Sequence, residues 1–320
     1  MTFRARILAT ASVIAGASLA LAGCAVDEGA GSDEQTLQLV ASTNVYADIA
    51  GAVAGDAAEV TSIIHDASQD PHEYEATPRD ALAIADADLV IVNGGGYDEF
   101  MHTLLEAHDS AAVVVDAVEL SGLAPAEEEH EHDDAEHDAH EGHHHGGFNE
   151  HVWYSFDAMA ALADELATQL GELDPANADA FSVNAAEFAS GLDELTQRAS
   201  AIAGAQHHAH VAITEPVPLY LLEAAGLENV TPDEFSDAVE EGTDAPALVV
   251  QQMLELAAEG SIAFLAYNEQ TVGPQTEQVL AAAELAGTPV VSFTELLPEG
   301  EHYLGWMGAN LDAIEVALGA

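Results

Sequence analysis

DPANADAFSVNAAEFASGLDELTQRASAIAGA, residues 174–205, is the most regular segment of this 320-residue chain. Asp174-Pro175 reads as a helix N-cap and first helical residue. Apolar side chains then recur at Phe181, Ala185, Phe188, Leu192, Leu195, Ala199 and Ile202. Alternating steps of four and three lay one apolar stripe along a helix of about 30 residues, roughly 45 Å long at 1.5 Å per residue. A helix of that length spans two lobes and limits hinge motion between them. As a coiled-coil seam the stripe is weak, with about three heptads and many small residues.

Outward from this helix, strand-length apolar runs alternate with helical segments on both sides. Ahead of it, strands are expected at Leu37 to Ser42, Val60 to Ile64, Leu89 to Val92 and Ala112 to Val115. Helices are expected between them near Val45 to Ala54, Pro78 to Ala85 and Asp98 to Ala107. Beyond it come Val211 to Thr214, a weak Val230, Ile262 to Ala266 and Val290 to Phe293, separated by helices near Leu219 to Ala225, Ala247 to Ala258 and Gln275 to Ala286. Such alternation argues for parallel sheets. The expected class is α/β: two small lobes with parallel four-stranded sheets joined by one long rigid backbone helix. The boundaries read as 37–173 for the N-terminal lobe, with a His/acidic loop at 121–150, then 174–205 for the linking helix and 206–320 for the C-terminal lobe.

The first residues have the order of an export signal: Arg4 and Arg6, an apolar run from Ile7 to about Ala20, then Leu21-Ala22-Gly23-Cys24. The run is short for a membrane span, which needs about 20 apolar residues. Cys24 is the only cysteine, so an intramolecular disulfide and zinc sites built on several cysteines are excluded. A lone Cys after Leu-Ala-Gly resembles a bacterial lipobox. The expectation is a signal peptide over 1–23, a lipid anchor at Cys24, a flexible tether over 24–36 and an extracytoplasmic location on the cell membrane.

Lysine is absent, and four arginines face 58 acidic residues, for a formal net charge of −54. Nucleic acid and anionic membrane surfaces are poor partners for such a chain. Self-repulsion on this scale destabilises a compact state unless salt screens it.

Seven of the sixteen histidines, His130, His132, His137, His140, His143, His144 and His145, fall in the acidic run EEEHEHDDAEHDAHEGHHHGG. Neutral imidazole is the common nitrogen ligand for transition metals, and interleaved carboxylates concentrate cations, so the run reads as an accessory metal-capture segment. In open parallel sheets ligands bind beyond the carboxyl ends of strands. Four metal-competent residues stand at such positions: His72 in QDPHEY, His151 in NEHVWY, Glu215 after the strand 211–214, and Glu295 after the strand 290–293. Glu269 in YNEQ is an alternative fourth ligand. Two imidazoles and two carboxylates suit a divalent cation. Four protein ligands leave no open catalytic position, and H-E-x-x-H is absent, so no enzyme is expected. The triplet Gly94-Gly95-Gly96 lacks phosphate-loop spacing and reads as a tight strand-to-helix connection.

ASTNVY (41–46), QDPHEYE (69–75), ADLVIVNG (87–94), HVWY (151–154), TEP (214–216) and the C-terminal helix from Trp306 to Leu318 resemble the zinc/manganese solute-binding lipoproteins of bacterial ABC importers, the helical-backbone metal-receptor family of cluster A-I. The resemblance runs from about Leu37 to the C-terminus. It implies a monomer that holds one metal between its lobes and delivers it to an ABC permease driven by a cytoplasmic ATPase. It also implies His72, His151, Glu215 and Glu295 as the four ligands. Zinc-type members often carry His at the third position and Asp is common at the fourth, so the two glutamates are departures. Zn2+ is the expected cargo on the strength of the histidine-rich run, with Mn2+ the alternative. A surface adhesin or metal buffer without a permease is the other competing reading.

The charge carries a prediction of its own. The Debye length shrinks from about 10 Å at 0.1 M salt to about 3 Å at 1 M, so Tm of the mature protein should climb steeply with NaCl into the molar range. A flat thermal-melt series would contradict adaptation to high salt.

Overall fold

The computed structural model describes residues 36–108, 110–125, 148–206 and 208–319. The N-terminal lobe winds β1 (Leu37–Thr43), α1 (Asn44–Ala54), β2 (Ala58–Ile64), α2 (Pro78–Asp86), β3 (Leu89–Val92), α3 (Glu99–His108), β4 (Val113–Asp116) and α4 (Ala117–Ser121). Two helices follow, α5 (Phe156–Leu173) and α6 (Ala178–Ala205). The C-terminal lobe comprises β5 (His210–Ile213), α7 (Leu219–Ala224), β6 (Glu228–Asn229), α8 (Asp233–Glu240), α9 (Ala247–Ala258), β7 (Leu265–Asn268), α10 (Pro274–Ala286), β8 (Val290–Phe293) and α11 (Tyr303–Leu318). The sheets run β2-β1-β3-β4 and β6-β5-β7-β8, four strands each, and every pairing is parallel. The expected α/β plan of two lobes and one long helix is the observed one.

Strand side chains alternate between two cores, as their period of two requires. Leu39 and Ala41 of β1 and Leu89 and Ile91 of β3 face the central cluster, while Val40, Val90 and Val92 face an outer cluster with Ile84, Phe100 and Met101. In the C-terminal lobe Val211, Ile213, Val291 and Phe293 point to the same central cluster, and Ala212, Leu265 and Tyr267 to an outer one with Phe235, Met253 and Val279. The central cluster therefore passes unbroken from one sheet to the other through α1, α5, α6 and α11.

Helix α6 buries Phe181, Ala185, Phe188, Leu192, Leu195, Ala199 and Ile202, the seven positions of the sequence stripe. Its start differs from expectation. Asp174 terminates α5 and accepts hydrogen bonds from the Ala176 N–H at 3.1 Å and the Asn177 amide at 2.5 Å, which builds a turn, so α6 begins only at Ala178. Nor is α6 a free strut: it packs along α1, α5 and α11 for much of its length. One of its few polar ties is Arg198, which donates to Gly308 O at 3.3 Å and Asp312 at 2.5 Å on α11.

Three further differences bear on the cleft. Strand β7 starts at Leu265 rather than Ile262, which puts Asn268 at its carboxyl end. The weak strand expected at Val230 is the two-residue edge strand β6. Helix α8, for which the sequence reading had no element, buries Phe235, Ser236, Ala238 and Val239 while its other face is acidic.

Phe181 is fully buried on α6 and should cost about 3–5 kcal/mol when cut to Ala, because the fixed helices around it cannot close the cavity. Leu285→Gln, at a side chain 91% exposed on α10, should leave Tm nearly unchanged. Denaturant melts of the two variants check the pair.

Candidate metal centre

The His72 loop begins at the end of β2 and is fixed at both shoulders. Asp70 Oδ1 accepts from the His72 N–H at 2.9 Å, and downstream a capping box joins Thr77 and Asp80 at the start of α2, as the sequence Thr77-Pro78-Arg79-Asp80 predicts. The His72 ring meets Tyr97 edge-on at 5.0 Å and keeps 27% of its side-chain surface exposed.

His151 lies against the short turn Val152–Tyr154 that precedes α5 and is 1% exposed. Its ring sits among Tyr97, Trp153 and His72. Asn149 Oδ1 accepts from both the His151 N–H at 3.1 Å and ring Nδ1 at 2.7 Å. The assignment follows from the other end of the amide, whose Nδ2 donates to Pro216 O at 3.1 Å. With the proton on Nδ1, the Nε2 lone pair faces the cleft, where it is buried and has no hydrogen-bond partner among the described residues.

The segment before the turn is held by backbone geometry. Gly94, Gly95 and Gly96 all have positive φ, and a Cβ on Gly94 would lie 2.3 Å from the Asp116 carboxylate, so β3 can turn into α3 here only through glycine. The Asp98 carboxylate accepts from the N–H groups of Asn93 at 2.7 Å and Gly94 at 2.9 Å, and Asn93 Nδ2 reaches Glu150 O at 3.1 Å. The turn thereby positions the residue next to His151.

From the other lobe, Glu215 and Glu295 approach behind β5 and β8, 3% and 6% exposed. Asn268 stands between them: its Nδ2 donates to Glu295 Oε1 at 2.8 Å and also to Glu215. Tyr97 O–H donates to Glu295 Oε2 at 3.2 Å, a bond between lobes. Gln270 accepts from the Glu295 and Leu296 N–H groups at 2.6 and 2.8 Å and donates to Ala67 O at 3.0 Å, linking this strap to the His72 loop.

His72, Glu215 and Glu295 line one solvent-open cavity of about 580 Å³, together with Glu150 and Glu240. Glu240, the last residue of α8, is the side chain that sequence reading missed. Its Oε1 lies 3.5 Å from His72 Nε2 and 3.4 Å from His151 Nε2, and it is buried without a hydrogen-bond partner among the described residues. The only advance signal was its place one helix beyond an edge strand, in a run of five acidic residues that look alike in sequence. Glu269 is exposed and does not line the cavity. His65, His102, His108, His210 and His302 do not line it either. Cys24, the tether and His130, His132, His137, His140, His143, His144 and His145 lie outside the described residues.

Burial and like charges set the electrostatics. Desolvation, then Glu240 and Glu295, pushes the Glu215 carboxyl up to about 9. Burial, aided by Glu150 and Glu295, raises Glu240 although His72 opposes the shift. At His72 burial disfavours the charge, but Glu240, Glu150 and Glu295 outweigh it and lift the imidazole to about 9. His151 is driven well below its ordinary range, first by burial and then by the charge on His72. The cleft thus retains protons at neutral pH that a cation would displace. A cation fits the corner formed by His72, His151 and Glu240: donors about 2.0–2.2 Å from one tetrahedral ion stand roughly 3.3–3.6 Å apart, and the two imidazole-to-Glu240 edges are 3.4 and 3.5 Å.

Two parallel α/β lobes on a shared helical core, with imidazoles from one and carboxylates from the other turned into a cleft, define a metal-ion solute-binding protein. Residues 39–317 match the family described as zinc-uptake complex component A, periplasmic (ZnuA), and the chain belongs to that family, whose members are receptors and not enzymes. It is 29% identical over 252 residues to the manganese-binding lipoprotein MntA of Halalkalibacterium halodurans, covering 73% of this chain and 77% of that one. To the zinc-binding lipoprotein AdcA of Streptococcus pneumoniae it is 28% identical over 276 residues, 82% of this chain and 52% of AdcA. A crystal structure of ZnuA shares the fold with a TM-score of 0.66 at 21% identity, over 89% of this chain and 97% of that one.

The buried titrations set the stability of the metal-free protein. Glu215 binds its proton more tightly folded than unfolded, and so does His72. Their contributions are complete below the ordinary values of 4.5 and 6.5 and are lost as pH climbs to about 9. Loss through His151 has the opposite sign but falls below 6.5. Tm of the metal-free protein should therefore decline between pH 6.5 and 9, and saturating Zn2+ should abolish the decline; a metal-free Tm that rises over that window would contradict this electrostatic picture.

Proposed function

We propose that this chain captures a divalent transition-metal cation outside the cytoplasm and delivers it to an ABC permease. His72 and His151 are the nitrogen ligands, and Glu215 and Glu295 the carboxylates. The observation that carries this reading is the buried Nε2 of His151, without a hydrogen-bond partner among the described residues, with its tautomer fixed by Asn149 and with Glu240 of the other lobe 3.4 Å away. A buried acceptor without a donor is destabilising unless a cation completes it.

Zn2+ is the first reading of the cargo. It is supported by the histidine-rich run at 126–147, which would capture zinc weakly at several His pairs and pass it to the cleft. Mn2+ is the second, favoured by the glutamates that line the cavity, because harder oxygen donors tolerate manganese and expanded coordination. In this reading Cys24 carries the lipid anchor that keeps the monomer at the membrane, beside its permease.

Calorimetric titration of the mature protein, with and without residues 126–147, tests the reading. The deletion should leave one tight site and lower only the total stoichiometry, and His151→Ala should remove the tight site. Binding at pH 7 should also release protons, seen as an enthalpy that varies with the buffer. Retention of tight binding by His151→Ala would refute the cleft as the metal site. Tighter Mn2+ than Zn2+ binding in the deleted form would make manganese the cargo.

A further inference from the structure

Glu240 is a costly residue in the metal-free protein. A carboxylate at the C-terminal end of a helix opposes the helix dipole. Glu240 closes α8 in that position, with Glu241 next and Gly242 at φ 63° ending the helical path. It also faces Glu150, Glu215 and Glu295 across one cavity. Its Oε1 is buried and, apart from a charge contact with His72 Nε2 at 3.5 Å, has no hydrogen-bond partner among the described residues, although Asn268 serves the other two C-terminal-lobe carboxylates.

Nothing in the packing of α8 requires a carboxylate there. The helix is held by Phe235, Ala238 and Val239 in the outer core of its lobe, and Glu240 points away from that core toward the two imidazoles of the other lobe. Its oxygen stands 3.4 Å from His151 Nε2. When His151 is neutral with its proton on Nδ1, both atoms are acceptors, so their approach is repulsive until a positive centre lies between them. His72 Nε2 makes the third corner, and the three ligand atoms lie within 4.8 Å of one another. Glu215 and Glu295, by contrast, are satisfied by the amide of Asn268.

We propose that Glu240 is a protein ligand of the captured cation, so that α8 supplies a third carboxylate alongside Glu215 and Glu295. The inference rests on the reading of the cleft as a metal site. Its consequence is a donor set richer in oxygen than two histidines and two glutamates, assembled around a pre-formed corner of His72, His151 and Glu240. Metal binding then fixes the end of α8, a short element joined to the lobe through turns on both sides.

The isosteric Glu240→Gln keeps the shape and removes the charge, and Glu234→Gln, exposed on the same helix, controls for lost surface charge. Zn2+ affinity by calorimetry, the visible absorption of the Co2+ form and amide exchange over residues 233–242 would be compared with the wild type. Glu240→Gln should weaken Zn2+ by more than the roughly 100-fold that loss of an outer partner can cost. It should also alter the Co2+ band and reduce the metal-induced protection of α8, with Glu234→Gln unchanged on all three. Glu240→Gln matching wild type in affinity and Co2+ spectrum, while His151→Ala loses the site, would overturn the assignment and leave the metal-receptor reading standing. Absence of a tight site in the wild type would overturn both.

Discussion

His151 Nε2 and Glu240 Oε1 lie 3.4 Å apart, and neither has a hydrogen-bond partner among the described residues. Around that gap the protein gathers Glu150, Glu215 and Glu295, with burial raising the proton affinity of the last two. In water such a cluster would relax by solvation or by moving apart. Here movement is restricted, because His151 is packed against Tyr97 and Trp153, and because Asn268 holds Glu215 and Glu295 together. Protons held on Glu215 and His72 relieve part of the repulsion in the metal-free protein.

Keeping the cluster in place needs a scaffold that resists opening, and the central core provides it. Apolar side chains from both sheets meet on α1, α5, α6 and α11 in one continuous cluster, so rotating one lobe against the other would expose the middle of the molecule. Specific ties reinforce it at the cleft's base. Tyr154 O–H donates to Thr294 O at 2.7 Å, Tyr303 O–H to Trp153 O at 2.6 Å, and Asn44 pairs with both backbone groups of Leu297. The His72 loop, the strap through Gln270 and helix α8 lie outside this central core. Such a scaffold differs from that of receptors whose lobes close widely on flexible hinges.

The acidity of the whole chain and that of the cleft are separate matters. Exposed carboxylates over the surface are screened by salt and concentrate cations without selecting among them. The cleft carboxylates are desolvated: Asn268 holds Glu215 and Glu295, Tyr97 donates to Glu295, and Glu240 lies beside both imidazoles. Desolvation with fixed geometry converts attraction for cations in general into a demand for a particular size and ligand preference.

Much of this was legible in the chain. The 4-3 stripe from Phe181 to Ile202 named the buried face of α6 residue for residue, because a helix against a core must repeat with its own period. Apolar runs with Gly and Pro punctuation located the parallel strands, and the strand-end rule brought His72, His151, Glu215 and Glu295 forward as candidate ligands. Glu240 and Asn268 stayed hidden. Local sequence gives no reason to separate Glu240 from Asp233, Glu234, Asp237 and Glu241, and Asn268 became a strand-end residue only when β7 paired three residues later than its apolar run suggested. The sequence by itself determined the periodicities, hence the elements and their buried faces, and the chemistry of the strand-end side chains. Only the tertiary structure decided which of many like carboxylates face the imidazoles without a partner, because that depends on how two lobes meet across distances no local pattern encodes.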